Sequence, residues 1–170
     1  MIVFDSSTII LLAKIELLDT ILQSYKKGCL IPEGVKREVT QKDSFDAMVI
    51  KKRLEEGKIK IKGVSREKIG KLMNDFNLDK SEAEAIILAL AHPGSLLATD
   101  DKNAINACKL LNLPFTTSLD ILIRAKEKKL LTPKDAEHKL QELAGYGRYK
   151  KELIEDAKKR VRGKIKCKPH

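Results

Sequence analysis

Two aspartates stand side by side in the stretch LLATDDKNA, residues 96–104, directly after a short apolar run. Asp100 and Asp101 repel each other when both are ionised, so the pair needs something that compensates its charge. A third aspartate, Asp5, follows another short apolar run in IVFDSS at the start of the chain. Short apolar runs that end in polar residues are typical of buried strands. The sequence therefore predicts carboxylates at the ends of two strands.

Two predicted helices add further carboxylates. Glu38 lies in IPEGVKREV, about one and a half turns into a helix that follows the second predicted strand. Glu82 and Glu84 open SEAEAIILALA, whose other positions are almost all apolar, as in a buried helix. Acids in a first turn also stabilise a helix through its macrodipole, so an ordinary capping role remains open for either glutamate. Because residues two apart point in roughly opposite directions, we expect at most one of them to face the site squarely.

The chemistry open to such a set of acids is narrow. Four or more carboxylates cannot all stay ionised close together unless protons, Lys or Arg, or a divalent metal compensate them. Oxygen ligands without histidine favour Mg²⁺ or Mn²⁺ over zinc, and the three histidines lie away from the predicted strand ends. Such a metal suits phosphodiester hydrolysis, where it activates a water and offsets charge on the phosphate.

The order of the elements predicts how these acids meet. Short apolar runs alternate with segments of helical length, which indicates βαβ units. The predicted fold class is α/β, a three-layer α/β/α sandwich around a central, mostly parallel sheet of four to five strands. KIKIKGV alternates as a half-exposed edge strand should, and TIILLAKIELLDTILQSY predicts one long helix. Ligands bind at the carboxyl ends of parallel strands, so Asp5, Asp100, Asp101 and Ser118 should lie at one edge.

Most of the net charge of +10 lies at the C-terminal end. From Lys158 onward the chain holds seven basic residues and no acid, which favours a polyanionic partner, nucleic acid before an anionic membrane. A solvated terminus kept for solubility is the alternative. The basic side chains predicted to contact substrate phosphates are Lys158, Lys159, Arg160 and Arg162.

The spacing of the cysteines and the lengths of the apolar runs indicate the cellular compartment of the protein. Cys29, Cys108 and Cys167 are widely separated and form no C-x-x-C motif, which predicts neither a zinc site nor a disulfide framework. Cys29 and Cys108 are expected to be buried thiols. No apolar run approaches the length of a membrane span, and Asp5 interrupts the N-terminus too early for a signal peptide. We expect a cytoplasmic protein without a membrane partner.

Four segments, taken in order, resemble PIN-domain nucleases: IVFDSS, IPEGVKREV, SEAEAIILALA and LLATDDKNA. The chain looks most like the VapC-type, toxin-like branch whose members carry a Gly-Glu-x-x-Ala helix motif. The predicted domains are a PIN-like nuclease domain, 1–145, and a basic helical extension and tail, 146–170. Three positions depart from the family pattern, since Ser81 replaces a glycine, and Thr117 and Asp120 replace the glycines of a Gly-Thr-Leu-Gly element.

The resemblance implies a Mg²⁺- or Mn²⁺-dependent ribonuclease whose metal is held by aspartates. Asp5 matches the first metal-binding aspartate of the family. Asp101 matches the aspartate of a T-x-D pattern, and Asp100 is the extra acid of its Asp-Asp version. One of the two would bind metal directly and the other through water or as a helix cap, and the T-x-D match favours Asp101 for the direct role.

The resemblance also matches the glutamates to family motifs and implies partners for the chain. Glu38 matches the glutamate of a V-x-x-E motif, Glu82 that of the Gly-Glu element, and Glu84 the acid just before the apolar helix run. All three would complete the catalytic site with the aspartates. Ser118 falls where the family often has Thr or Ser near the substrate. The implied partners are an RNA substrate, a small antitoxin protein and a second copy of the chain.

Other classes fit the acids less well. A haloacid-dehalogenase-type phosphatase needs an aspartate two residues after Asp5, where this chain has Ser7. A response-regulator receiver places its acidic pair after the first strand, whereas this chain has the pair late. The stronger alternative is a catalytically silent PIN-like module that binds RNA or protein. It would have no need of so many converging carboxylates.

Overall fold

The computed structural model describes residues 1–163, so Cys167 and the rest of the predicted tail beyond Gly163 lie outside the described residues. The chain divides into two compact units, one of residues 1–117 and one that begins at Ser118. The division predicted between residues 145 and 146 remains a prediction.

A five-stranded, all-parallel sheet forms the centre of the first unit, all of whose residues are described. The order of the strands across the sheet is β3-β2-β1-β4-β5. Their bounds are β1 (Ile2–Phe4), β2 (Cys29–Pro32), β3 (Ile59–Lys62), β4 (Leu96–Ala98) and β5 (Phe115–Thr116). The predicted α/β class with a mostly parallel sheet of four to five strands is confirmed.

Helices cover both faces of this sheet. Val3 packs in one apolar cluster with Leu30 and Leu97 of the neighbouring strands and with residues of three helices. Ile2 and Phe4 alternate with Val3 and so point to the opposite face, where neither is exposed to solvent. The helices of residues 1–117 are α1 (Ser6–Lys14), α2 (Leu18–Ser24), α3 (Glu33–Thr40), α4 (Phe45–Glu55), α5 (Ile69–Phe76), α6 (Lys80–Leu90) and α7 (Lys102–Leu110), with a 3₁₀ turn at Arg66–Lys68.

The prediction of one long helix in TIILLAKIELLDTILQSY is wrong. The chain breaks between α1 and α2 at Glu16, which adopts a left-handed conformation with φ 52°. Ile15 and Leu17 on either side are fully buried. A left-handed residue costs roughly 1–2 kcal/mol, whereas burying each large aliphatic side chain contributes about 1.5–3 kcal/mol. Packing of these two residues therefore outweighs the helical propensity of the segment.

Two other expectations for the first unit are confirmed. Strand β3 lies at the edge of the sheet, and its Ile59 is buried while Lys60 and Lys62 are exposed. The thiols of Cys29 and Cys108 are buried and free of disulfides. Burial raises their pKa to about 11 and about 12 respectively, so neither is a reactive thiolate at neutral pH.

The second unit contains three helices within its described residues. They are α8 (Ser118–Glu127), α9 (Pro133–Tyr146) and α10 (Lys151–Val161), and each packs against the other two. Thr132 caps α9, and Pro133 occupies its first position, where a missing backbone N–H leaves no intrahelical hydrogen bond unmade. None of the helices described in either unit is long and apolar enough to cross a membrane.

Candidate active site

Asp5 leaves β1 and caps α1 at the carboxyl edge of the sheet. The backbone N–H of Thr8 and the hydroxyl of Ser7 each donate to its Oδ1 at 2.9 Å, and the hydroxyl of Thr99 donates to its Oδ2. Asp5 is only 3% exposed. Its burial raises the pKa of the carboxyl to about 6, and the charge of Asp100 adds to this, while the three hydrogen bonds lower it.

Asp100 lies beside Asp5 because β4 is the parallel neighbour of β1. Phe4 pairs with Ala98 in the sheet, and the backbone N–H of Asp5 donates to the carbonyl of Ala98 at 3.0 Å. The hydroxyl of Thr8 donates to Oδ2 of Asp100 at 2.8 Å. Thr8 thus bonds one acid through its backbone and the other through its side chain.

Asp101 caps α7 with one of its carboxylate oxygens. Its Oδ1 accepts the backbone N–H groups of Asn103 and Ala104 at 2.7 and 2.8 Å. Its own N–H donates to the hydroxyl of Thr99 at 3.2 Å, and the same hydroxyl donates to Asp5. The helix-capping role left open between the two adjacent aspartates therefore falls to Asp101, and a direct metal role for either stays a prediction.

Glu82 caps a helix, and its ionisation is affected by the charges of the site aspartates. Its Oε2 accepts the N–H of Asp79 at 2.9 Å, and its own N–H donates to Asp79 at 2.8 Å, which is a capping box. Burial raises the pKa of Glu82 to about 7, and Asp79, Asp101 and Asp5 add to the increase. The neighbouring aspartates are therefore close enough to affect its ionisation.

Glu84 faces different partners from Glu82 and links α6 to α3. Its Oε2 accepts the N–H of Gly34 at 2.6 Å, and its Oε1 lies 4.0 Å from the guanidinium of Arg37. Glu84 is 5% exposed. A Cβ on residue 34 would lie 2.6 Å from Oε2 of Glu84 and 3.3 Å from Cα of Ser81. Only glycine fits this contact without displacing the carboxylate.

We expect Gly34→Ala to lower the free energy of unfolding by about 1–3 kcal/mol, because the buried carboxylate of Glu84 would lose its backbone donor. Urea unfolding measures the change. The matched control is Gly70→Ala on α5, where an added Cβ meets nothing within 4 Å and should be neutral or stabilise by about 0.5–1 kcal/mol. Equal stabilities of the two variants would contradict the packing argument.

Glu38 is exposed on α3 and is joined to α1 through Ser6, whose hydroxyl donates to its Oε2. Ser6 directly follows Asp5 in the sequence. One hydrogen bond therefore connects the helix that carries Glu38 to the helix that Asp5 caps.

The other predicted substrate contacts belong to the second unit. Ser118 is fully buried at the start of α8, and its hydroxyl is hydrogen-bonded to that of Tyr149. On α10, Lys158 pairs with a neighbouring acid at 2.7 Å, and so does Arg160. Arg162 pairs with Glu137 of α9, and Lys159 is exposed. A role for any of them in binding substrate stays a prediction.

Sequence reasoning missed the hydroxyl groups that hold the acids. Ser6, Ser7, Thr8 and Thr99 each bond a site carboxylate. The available signal was their position, since DSST and ATDD place hydroxyl residues directly beside the aspartates. These side chains are the immediate supports of the candidate site.

The chemistry of the donors fits a hard divalent cation. Within residues 1–163, no group of three or more His, Cys, Asp and Glu side chains is arranged to hold a metal. The acids nevertheless offer only oxygen, and Asp5 and Glu82 have raised pKa values to which the neighbouring carboxylates contribute. A bound cation would offset this repulsion, and Mg²⁺ or Mn²⁺ prefers such ligands.

An all-parallel sheet with carboxylates at the ends of its adjacent central strands defines an α/β protein with an acidic site at the sheet edge. Residues 1–162 match the profile of the DUF3368 family, described as a PIN domain, and the chain belongs to this PIN-domain family. PIN domains are typically nucleases and generally use divalent metals. No match was found among curated proteins or among solved structures.

Proposed function

We propose that the protein is a Mg²⁺- or Mn²⁺-dependent ribonuclease that hydrolyses internal phosphodiester bonds. The observation that carries the proposal is the pair of threonine bridges between neighbouring strand ends. Thr8 bonds Asp5 and Asp100, and Thr99 bonds Asp5 and the backbone of Asp101. A fold that only needed to be stable would gain little from holding the repelling carboxylates of Asp5 and Asp100 together.

Asp5 and one of Asp100 and Asp101 would hold the cation directly, and the other aspartate of the pair would act through water. Bound there, the metal supplies a water of lowered pKa and offsets the charge that builds on the phosphate. The threonines prepare this site, because their hydroxyls fix the carboxylates before the substrate arrives.

The glutamates have distinct roles. Glu82 has a carboxyl whose pKa is raised to about 7, so it can accept or release a proton near neutral pH. Glu38 is exposed and is oriented by Ser6, which suits contact with substrate or with an attacking water. Glu84 acts through α3, since its bond to Gly34 fixes the start of the helix that carries Glu38.

The hydroxyl of Thr99 should be needed for metal affinity. Thr99→Val removes both its bond to Asp5 and its bond from the backbone of Asp101. We expect the affinity for Mn²⁺ to fall about 10–100-fold, as for other groups that orient metal ligands. Thr99→Ser retains the hydroxyl and should bind Mn²⁺ nearly as wild type does. Calorimetric titration measures both, and equal losses in Val and Ser variants would contradict the role.

The proposal includes a toxin-like identity of the VapC type. It is supported by the resemblance of SEAEAIILALA to the branch with the Gly-Glu-x-x-Ala motif. A small antitoxin and a homodimer follow from the same resemblance, and the net charge of +10 is compatible with an acidic partner.

A catalytically silent RNA- or protein-binding module is the second candidate. It is favoured by the structural roles that three of the acids already have. Asp101 caps α7, Glu82 closes a capping box, and Glu84 binds the backbone of Gly34. Cleavage of a mixed RNA pool, with and without Mn²⁺, separates the two candidates.

A further inference from the structure

A groove of about 340 Å³ adjoins the candidate active site in the first unit. Ser6 and Glu38, whose side chains are hydrogen-bonded to each other, form the wall that the groove shares with the site. The remaining walls come from α1, α3, α4 and the loop between α3 and α4. Its volume lies within the range of small-molecule pockets, which begins at about 300 Å³.

The charges that line this groove are balanced. Lys14 and Lys42 are its cations, and Glu38 and Asp46 are its acids. A subsite built for a phosphate would carry excess positive charge. A balanced lining instead suits the neutral part of a nucleotide.

The distribution of polar and apolar groups in the groove fits a flat heterocycle. Ile10, Val39 and Ala47 supply apolar surface. Gln41 offers both a donor and an acceptor, and Asp46 offers acceptors. A nucleobase has this same combination, with an apolar face and an edge of donors and acceptors.

We propose that this groove binds the nucleobase next to the cleaved phosphodiester bond, with Gln41 and Asp46 reading its edge. The inference rests on the proposed ribonuclease function, because the groove opens beside Ser6 and Glu38 of that site. RNA is usually read in this way, through single-stranded bases turned out of the stack.

The first test is an NMR titration of the full chain with the four nucleoside 5′-monophosphates. We expect backbone amides of residues 41–47 to shift and the affinities for the four bases to differ by about fivefold or more. Gln41→Ala and Asp46→Ala should each reduce the preferred affinity about fivefold. Glu55→Ala, on the same helix as Asp46 but outside the groove, should not. Equal affinities for all four bases, or variants that bind as wild type does, would overturn the proposal.

The second test maps the ends of products cut from a randomised RNA. Gln41→Ala and Asp46→Ala should change the base preference at the nucleotide beside the cut, and Glu55→Ala should leave it as in wild type. Unchanged product ends in the first two variants would overturn the proposal that the groove reads a base, and would leave the ribonuclease function standing. Base-selective titration of a chain that never cuts RNA would overturn the ribonuclease and leave the base selectivity of the groove standing.

Discussion

Asp5→Asn should lower metal-dependent cleavage of RNA by about 10³-fold or more. Asp5 is buried, receives three hydrogen bonds and lies beside Asp100, so its carboxylate is firmly fixed at the proposed metal site. A catalytic metal contributes several kcal/mol to the reaction barrier, and each 1.4 kcal/mol is a factor of ten in rate. The initial rate on a labelled RNA at saturating Mn²⁺ measures the loss.

Asp75→Asn is the matched control for this substitution. Asp75 is exposed on α5, in the same unit, and has no proposed role in the site. Asp75→Asn therefore makes the same chemical change outside the candidate active site. It should cleave at the wild-type rate. A variant at Asp5 that retained more than a tenth of the activity would show that this carboxylate does not hold the catalytic metal.

The same Asp5→Asn variant should be more stable than wild type at neutral pH when both are free of metal. The pKa of Asp5 is about 6 in the folded chain, against an ordinary value of 3.8. The folded state therefore binds more protons than the unfolded state between these two values. Stability falls as pH rises through this window, and the loss is complete above it.

The expected gain for Asp5→Asn above pH 6 is roughly 2–3 kcal/mol, since each pKa unit corresponds to 1.36 kcal/mol. Asparagine keeps the oxygen that caps α1, so the helix terminus is preserved. The gain should shrink to roughly 0.5 kcal/mol at pH 4, because the wild-type carboxyl is then protonated in the folded state but, with an ordinary pKa of 3.8, still partly ionised in the unfolded state. Urea unfolding at pH 4 and pH 7.5 measures it. A variant less stable than wild type at both pH values would contradict the claim that burying the charged carboxylate of Asp5 destabilises the fold.

Much of the fold follows from local patterns that leave few alternatives. The runs before Asp5 and Asp100 are too short and too apolar for surface helices, and they became the adjacent central strands β1 and β4. Helix α6, which contains SEAEA, is buried along most of its length, as its composition requires. Adjacent parallel strands then place Asp5 and Asp100 side by side without further information.

Other features depend on contacts that no local pattern encodes. The break at Glu16 exists because Ile15 and Leu17 are both buried when the chain turns there. The structural role of Glu84, which differs from that of Glu82, depends on its hydrogen bond to Gly34, which lies 50 residues away in sequence. Only the packed structure brings these groups together.

For the adjacent aspartates, both the local sequence pattern and the packed structure were needed to assign a role. The sequence predicted that one would bind metal directly, with Asp101 favoured, and that the other would bind through water or cap the following helix; in the structure Asp101 caps that helix, and the metal roles stay predictions. Capping uses Oδ1 of Asp101, through its bonds to Asn103 and Ala104. Such a cap stabilises a helix by about 1 kcal/mol, so Asp101 contributes to the fold whatever it contributes to catalysis.

Cleavage of a mixed RNA pool by purified wild-type protein tests the central claim most directly. The reactions contain Mn²⁺, Mg²⁺ or EDTA, with Asp5→Asn purified in parallel to expose any contaminating nuclease. We predict internal cuts with either metal, none with EDTA, and almost none from the variant. Wild-type protein that binds the RNA but leaves it intact with both metals would contradict the ribonuclease and favour the silent binding module.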